Sequence, residues 1–148
     1  MWGEESCAGE DMSHAEIMKM YTKHGFTKFE SVNREFELSC IEVDKWDFLN
    51  SFVRVAVGRL NKFLGYVSPF FLPGNYYSAM LQAKVKDKEV LAEAQALHRE
   101  LLVCYHEGLK AEFLSEKEQV VYLKDFLKRY PLWKKRTFAL LDICVVVF

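Results

Sequence analysis

Val90, Ala94, Leu97, Leu101, Cys104, Gly108 and Ala111 follow one another at alternating steps of four and three residues without a miss. That spacing keeps one face of an α-helix aligned for three heptads, and a strand cannot reproduce it. It predicts a long helix over about 90–111. Ala94, Cys104, Gly108 and Ala111 are small, so a neighbouring helix can approach closely there. The seam suits a second chain or the interior of the chain's own bundle, and the second reading is favoured.

The rest of the chain reads the same way. Ser13 and Glu16 have capping-box spacing, in which two free backbone N–H groups are satisfied reciprocally. Ile17, Met20 and Tyr21 give a helical stripe after it, and Gly25 ends it, so a first helix is expected over about 13–24. Residues 27–43 are ambiguous. Phe29, Val32, Phe36, Cys40 and Val43 step helically, with Thr27 and Glu30 as a second capping box, yet Phe36, Leu38 and Cys40 alternate as in a strand. Helix is favoured because the neighbours are helical. Asp44 is expected to cap a long, very apolar helix running from Lys45 to about Val67.

Ser68-Pro69 stops that helix. A proline- and aromatic-rich loop over about 66–77 follows, and Asn75 is expected to cap a short helix over 76–85. Residues 84–89 are a charged junction, either a turn or an exposed helical turn. Ser115 and Glu118 open another helix, and Pro131 suits the first turn of a further one, from about Leu132 to Val147. Its Val145-Val146-Val147 end is expected to fray or pair. The predicted fold is all-α: a compact bundle of about six to seven helices with short connections, a single domain over 1–148, and a loose acidic arm over 1–10.

Composition narrows the class. Hydrophobic residues make up 51% and aromatics 15%, which excludes a disordered chain. A net charge of −1 gives no global attraction to nucleic acid or membrane. Charge is nonetheless uneven, −6 over residues 1–44, +1 over 45–119 and +4 over 120–148. Cys7, Cys40, Cys104 and Cys144 form no CxxC pair. The N-terminus lacks the basic and apolar regions of a secretory signal, so a reducing cytoplasm is expected. No apolar run reaches the roughly 18–20 residues that span a bilayer, so no membrane association is expected.

Three features carry chemical possibilities. Arg99 and His106 are separated by six residues. A neutral imidazole can accept the proton of a ribose hydroxyl, and a guanidinium can grip phosphate oxygens. The R-x6-H spacing over these eight residues resembles the motif of HEPN-family ribonucleases, small dimeric helical domains. The resemblance implies that Arg99 and His106 act together on an RNA phosphate and that a homodimer uses the outer face of their helix. Glu100 stands where that family often has a polar, non-acidic residue. The competing reading, and the favoured one, is two exposed polar residues on a solvated face.

The second feature is a basic cluster, Lys124, Lys128, Arg129, Lys134, Lys135 and Arg136, with Tyr130 and Trp133 interleaved. Such residues can hold phosphates and stack bases; the bland alternative is a solvated face paired with the acidic N-terminal third. The third is metal binding. His98, Cys104, His106 and Glu107 lie close in sequence, but His98 and Glu107 do not share a helical face and no Glu-x-x-His pair occurs. No metal and no cofactor are expected. Gly-rich phosphate loops and nucleophile motifs are absent from the sequence.

Phe70, Phe71, Tyr76 and Tyr77 sit in the proline-bounded loop. Exposed, they would anchor a protein partner; folded inward, they would form a flap over the core, which is favoured. The reading is a non-catalytic helical protein-interaction module working by helix-face and aromatic-loop contacts, with self-association as one form. The alternative is a nucleic-acid-directed protein, either HEPN-like or a binder using Lys128, Arg129, Lys134, Lys135 and Arg136. A third class is a ligand-sensing domain with an apolar pocket near residues 66–77.

Overall fold

Four of the helices start where a polar side chain accepts a hydrogen bond from an otherwise free backbone N–H, the device that fixes a helix start. The computed structural model describes residues 13–40 and 47–148. Helix α1 (His14–Lys23) opens on the Ser13–Glu16 capping box. After the 3-10 turn Ser68–Phe70, α4 (Tyr76–Lys84) opens on Asn75 and Ser78. Asp87 caps α5 (Lys88–Ala111), and Ser115 caps α6 (Glu116–Val147). The other two helices, α2 (Phe29–Phe36) and α3 (Phe48–Val67), have no side-chain cap. The described residues contain these six α-helices and no strand, so the chain is an all-α bundle.

Helix α3 is the centre. It packs most extensively against α5 and α6, which also pack on each other. Phe52, Val53, Ala56 and Leu60 of α3 are fully buried, as are Leu97 and Leu101 of α5 and Phe126 of α6. The contacts Tyr122–Cys104, Gln119–Ala111 and Arg136–Glu93 run in opposite order along the two helices, so α5 and α6 form an antiparallel hairpin. Tyr21, Phe26 and Phe29 join α1 and α2 to Phe52 through edge and tilted ring contacts. Tyr21 donates its hydroxyl to the Thr27 carbonyl at 2.5 Å, and burial pushes its pKa up to about 12.

The predicted seam is the buried face of α5, and it lies inside the bundle. Ala94, Leu97, Leu101, Cys104, Gly108 and Ala111 are all buried, while Val90 at its start is partly exposed. Of residues 84–89 only 85–87 leave the helix, with Val85 extended and Asp87 as the cap of α5, so the junction is a short connection.

Three expectations are corrected. The segment after Gly25 forms helix only over Phe29–Phe36, because Glu37 turns left-handed (φ 53°) and a 3-10 turn, Leu38–Cys40, follows. Its start is a left-handed Lys28 (φ 59°), with no cap from Thr27. Helix α3 begins at Phe48, and the expected cap Asp44 lies outside the described residues, as do 41–43, the acidic arm and Cys7. Pro131 does not start a new helix. Helix α6 continues through it for 32 residues. A missing N–H costs one intrahelical bond, and the buried side chains on either side, Phe126, Tyr130, Trp133 and Leu140, hold both halves on the same core.

Thr137 is fully buried on α6, and its hydroxyl has no hydrogen-bond partner among the described residues. An unpaired buried hydroxyl costs about 1–3 kcal/mol. Thr137→Val keeps the shape and removes that cost, so it should raise stability by about 1 kcal/mol, read as a higher urea midpoint at unchanged slope. A lower midpoint would show that the hydroxyl is satisfied.

Candidate functional site

The first half of the proline-bounded loop folds inward, and residues 72–77 are exposed. Phe70 is buried, at the edge of the core, and Phe71 stands edge-on to His98 at 5.1 Å. Burial lowers the His98 pKa. Gln82 fastens the loop by donating to the carbonyls of Pro69 (3.1 Å) and Leu72 (2.8 Å). Of the four aromatic residues singled out, only Tyr76 and part of Tyr77 face solvent. Tyr77 stacks on Phe148 at 5.7 Å and donates to Cys144 Sγ at 3.4 Å. This corrects Phe70 as an exposed anchor: a 3-10 turn with Pro69 inside it rotates the ring under the bundle.

The basic cluster is divided among three sides of α6. Arg136 bonds Glu93 at 2.6 Å and Glu100 at 2.7 Å on α5. Arg129 pairs with Asp125 at 3.4 Å and lies 4.6 Å over the Trp133 ring. Lys134 binds the Glu35 carboxylate on α2, which also accepts from Arg59 of α3 at 2.7 Å and from Tyr130 at 3.0 Å. Lys135 sits in a shallow groove facing Asp87, Glu89 and Glu93. Lys124, Lys128 and Lys135 make no ion pair among the described residues. The six cations of the cluster therefore do not form one shared face.

Arg99 and His106 are both exposed on α5, opposite its buried seam. Seven residues put them on one face, two turns and about 10 Å apart. His106 Nδ1 lies 2.9 Å from the Leu102 carbonyl. A carbonyl only accepts, so Nδ1 carries the proton, and in the neutral ring Nε2 is the free acceptor. Glu100 does not crowd this face. Its carboxylate turns toward α6, accepting from Arg136 and from Trp133 Nε1 at 3.3 Å. Burial alone would raise its pKa; the hydrogen bonds from Arg136 and Trp133 outweigh burial and lower it.

Between and beyond Arg99 and His106 the same side of the helix also carries large apolar residues, alongside Gln95 and Lys110. Leu102, Val103, Leu109 and Phe113 are all exposed, Val103 by 59% and Phe113 by 88%. They occupy the stripe i, i+1, i+7 and i+11, which winds down one side of α5 and over its end. Reading the sequence for the seam hides them. They count as off-register positions on a helix whose other face already satisfies the pattern. The available signal is a second apolar stripe, Leu102 and Leu109 seven apart, on the side that ought to be polar.

Among the described residues no three His, Cys, Asp or Glu side chains are placed to hold a metal ion, and no helix is long and apolar enough to cross a membrane. Cys104 is buried, with its thiol pushed up to about 11 by burial, so it is a poor nucleophile near neutral pH. Comparison of the chain with protein-family models, with characterised proteins and with solved structures found no match.

Proposed function

We propose that this chain is a non-catalytic helical protein-interaction module that pairs with a second copy of itself through the outer face of α5. The observation that carries the reading is the exposed stripe Leu102, Val103, Leu109 and Phe113 on a helix whose opposite face is buried. Isolated exposed apolar residues are ordinary, but a contiguous stripe marks an interaction surface.

The shape of this face favours a second copy. Its first half carries a small exposed residue, Ala92, and its far end a large one, Phe113. In an antiparallel pair about a two-fold axis between Leu102 and Val103, the Leu102–Val103 steps of the two copies meet at the axis. Phe113 of each copy then comes level with Ala92 of the other, large against small. The same register sets Arg99 opposite the His106 imidazole and Lys110 opposite the Gln95 amide, so no two side chains that are always cationic are opposed. A surface that complements itself in this way is what two-fold pairing requires.

The test is mass by light scattering after size exclusion. Wild type should run as a dimer, and Val103→Glu should run as a monomer with the same helix content by circular dichroism, because the side chain is not part of the core; its thermal midpoint should fall only by what pairing contributes. A wild-type monomer up to about 1 mM, where pairing would be worth no more than about 4 kcal/mol, would remove this reading.

A second reading uses the same face. The ribonuclease motif that Arg99 and His106 resemble needs a free imidazole nitrogen and an unobstructed guanidinium. The Nδ1–Leu102 bond leaves Nε2 available, and Glu100 is occupied by Arg136 and Trp133. The antiparallel pairing keeps Arg99 of one copy beside His106 of the other. RNA cleavage by wild type, lost in His106→Ala with the dimer intact, would replace the non-catalytic reading with this one.

A further inference from the structure

A second concave site lies away from α5, between α2 and α6. It is an open groove of about 670 Å³, within the usual range of small-molecule sites, about 300–1,000 Å³. Its floor is apolar: Phe26, Val32, Phe36, Leu127 and Pro131. Its rim is cationic, with Lys28, Lys124, Lys128 and Lys134 against a single acid among the described residues, Glu35.

The cations divide into two groups. Lys134 is committed to Glu35, whose carboxylate is further neutralised by Arg59. Lys28, Lys124 and Lys128 make no ion pair among the described residues. Lys124 and Lys128 are one turn apart on α6 and so project from the same side. The Lys124 ammonium reaches across the groove to the turn before α2, where a Cβ on Gly25 would lie 3.0 Å from Nζ. Lys28 ends that same turn. Three ammonium groups without an ion pair among the described residues therefore ring one end of an apolar trough. Such an arrangement repels cations, offers a neutral apolar molecule its floor alone, and complements on both floor and rim a molecule with an anionic head and an apolar body.

We propose that the groove between α2 and α6 binds a small amphipathic anion, its phosphate or carboxylate held by Lys28, Lys124 and Lys128 and its alkyl or aryl body lying on Phe26, Val32, Phe36 and Leu127. The site is independent of the pairing face on α5. Pro131 contributes to it: its ring has no N–H to present and adds apolar surface to the floor.

The experiment is calorimetric titration with dodecyl phosphate below its micellar concentration, on wild type and on the double variant Lys124→Glu, Lys128→Glu. Both lysines are exposed and make no ion pair among the described residues, so the variant should fold normally, checked by its thermal unfolding. Wild type should show one saturable site, and the variant should bind on the order of tenfold more weakly or worse. Affinity should climb with alkyl length by roughly fourfold per buried methylene until the floor is covered. Equal affinity of wild type and variant, or no saturable binding at all, would overturn the site. Inorganic phosphate binding as tightly as dodecyl phosphate would overturn the apolar half. A short single-stranded RNA binding the same lysines more tightly than dodecyl phosphate would overturn the ligand class.

Discussion

Gly108→Ala should destabilise the bundle by about 1–3 kcal/mol, although alanine is the better helix former by about 1 kcal/mol. A Cβ at this position would stand 2.4 Å from the Tyr122 hydroxyl and 2.5 Å from a Val57 methyl. Neither neighbour can yield cheaply. Tyr122 is held by donating to the Cys104 carbonyl at 2.9 Å, and it also accepts from the Cys104 thiol at 3.6 Å. Burial raises its pKa far above the ordinary phenol range, as expected of a hydroxyl fixed inside the structure. Val57 belongs to the central helix. To admit one methyl group, α5 must back away from α3 or α6, and the dense packing of a core makes such a shift costly. Gly58→Ala and Gly65→Ala provide the contrast. Nothing lies within 4 Å of a Cβ at either position, so each should stabilise α3 by about 0.5–1 kcal/mol. Urea midpoints for the three variants decide the matter. If Gly108→Ala behaves like the other two, the close approach of α3, α5 and α6 at this residue is wrong.

Gly108 also shows what a sequence can and cannot convey. Its place in an unbroken four-three alternation of small and apolar residues announces a close helix contact, and the small residues on both sides strengthen the expectation. Which helix arrives there is a tertiary fact, carried by Val57 and Tyr122 far away in the chain. The helix starts were legible for the same local reason. Ser13, Asn75 and Ser115 act within one turn, so their effect is written in neighbouring residues. Pro131 misled because its cost is local whereas its compensation, burial of Phe126, Tyr130, Trp133 and Leu140 along one core, is not. The basic cluster was legible as composition only. Arg136, Arg129 and Lys134 find acids one turn away or on other helices, and nothing in the run of lysines and arginines predicts how they are divided. The outer stripe of α5 was masked by the success of the inner one: once a seam is found, Val103 and Phe113 look like noise.

Glu35 is where this hidden tertiary pairing has the largest consequence. Glu35→Ala should cost about 2 kcal/mol, between the roughly 0–1 of an exposed pair and the roughly 3–5 of a fully buried one. Its side chain and those of Arg59 and Lys134 are each roughly a quarter to a third exposed. One carboxylate ties three helices together: it accepts from Arg59 of α3 at 2.7 Å, from Tyr130 of α6 at 3.0 Å, and from Lys134 of α6. The Arg59 guanidinium meanwhile donates to the Glu35 carbonyl at 3.0 Å and sits 5.1 Å over the Phe36 ring. Removing the carboxylate leaves two cations close together over an aromatic floor without their common partner. Burial alone would raise the Glu35 pKa, but the hydrogen bonds from Lys134, Arg59 and Tyr130 outweigh it and the net shift is downward. The folded state therefore binds the proton less readily than the unfolded chain. The stabilisation is fully present above the unfolded carboxylate value of about 4.3 and is lost as pH falls through the lower folded value. Glu100, lowered in the same direction by Arg136 and Trp133, adds to this acid limb. Glu35→Gln keeps the shape and removes the titration. The stability gap between wild type and Glu35→Gln should be widest near neutral pH and should close toward about pH 3. A gap that stays constant across this range would mean that the carboxylate is not held below its ordinary value, and that α2 is fastened to α3 and α6 by packing alone.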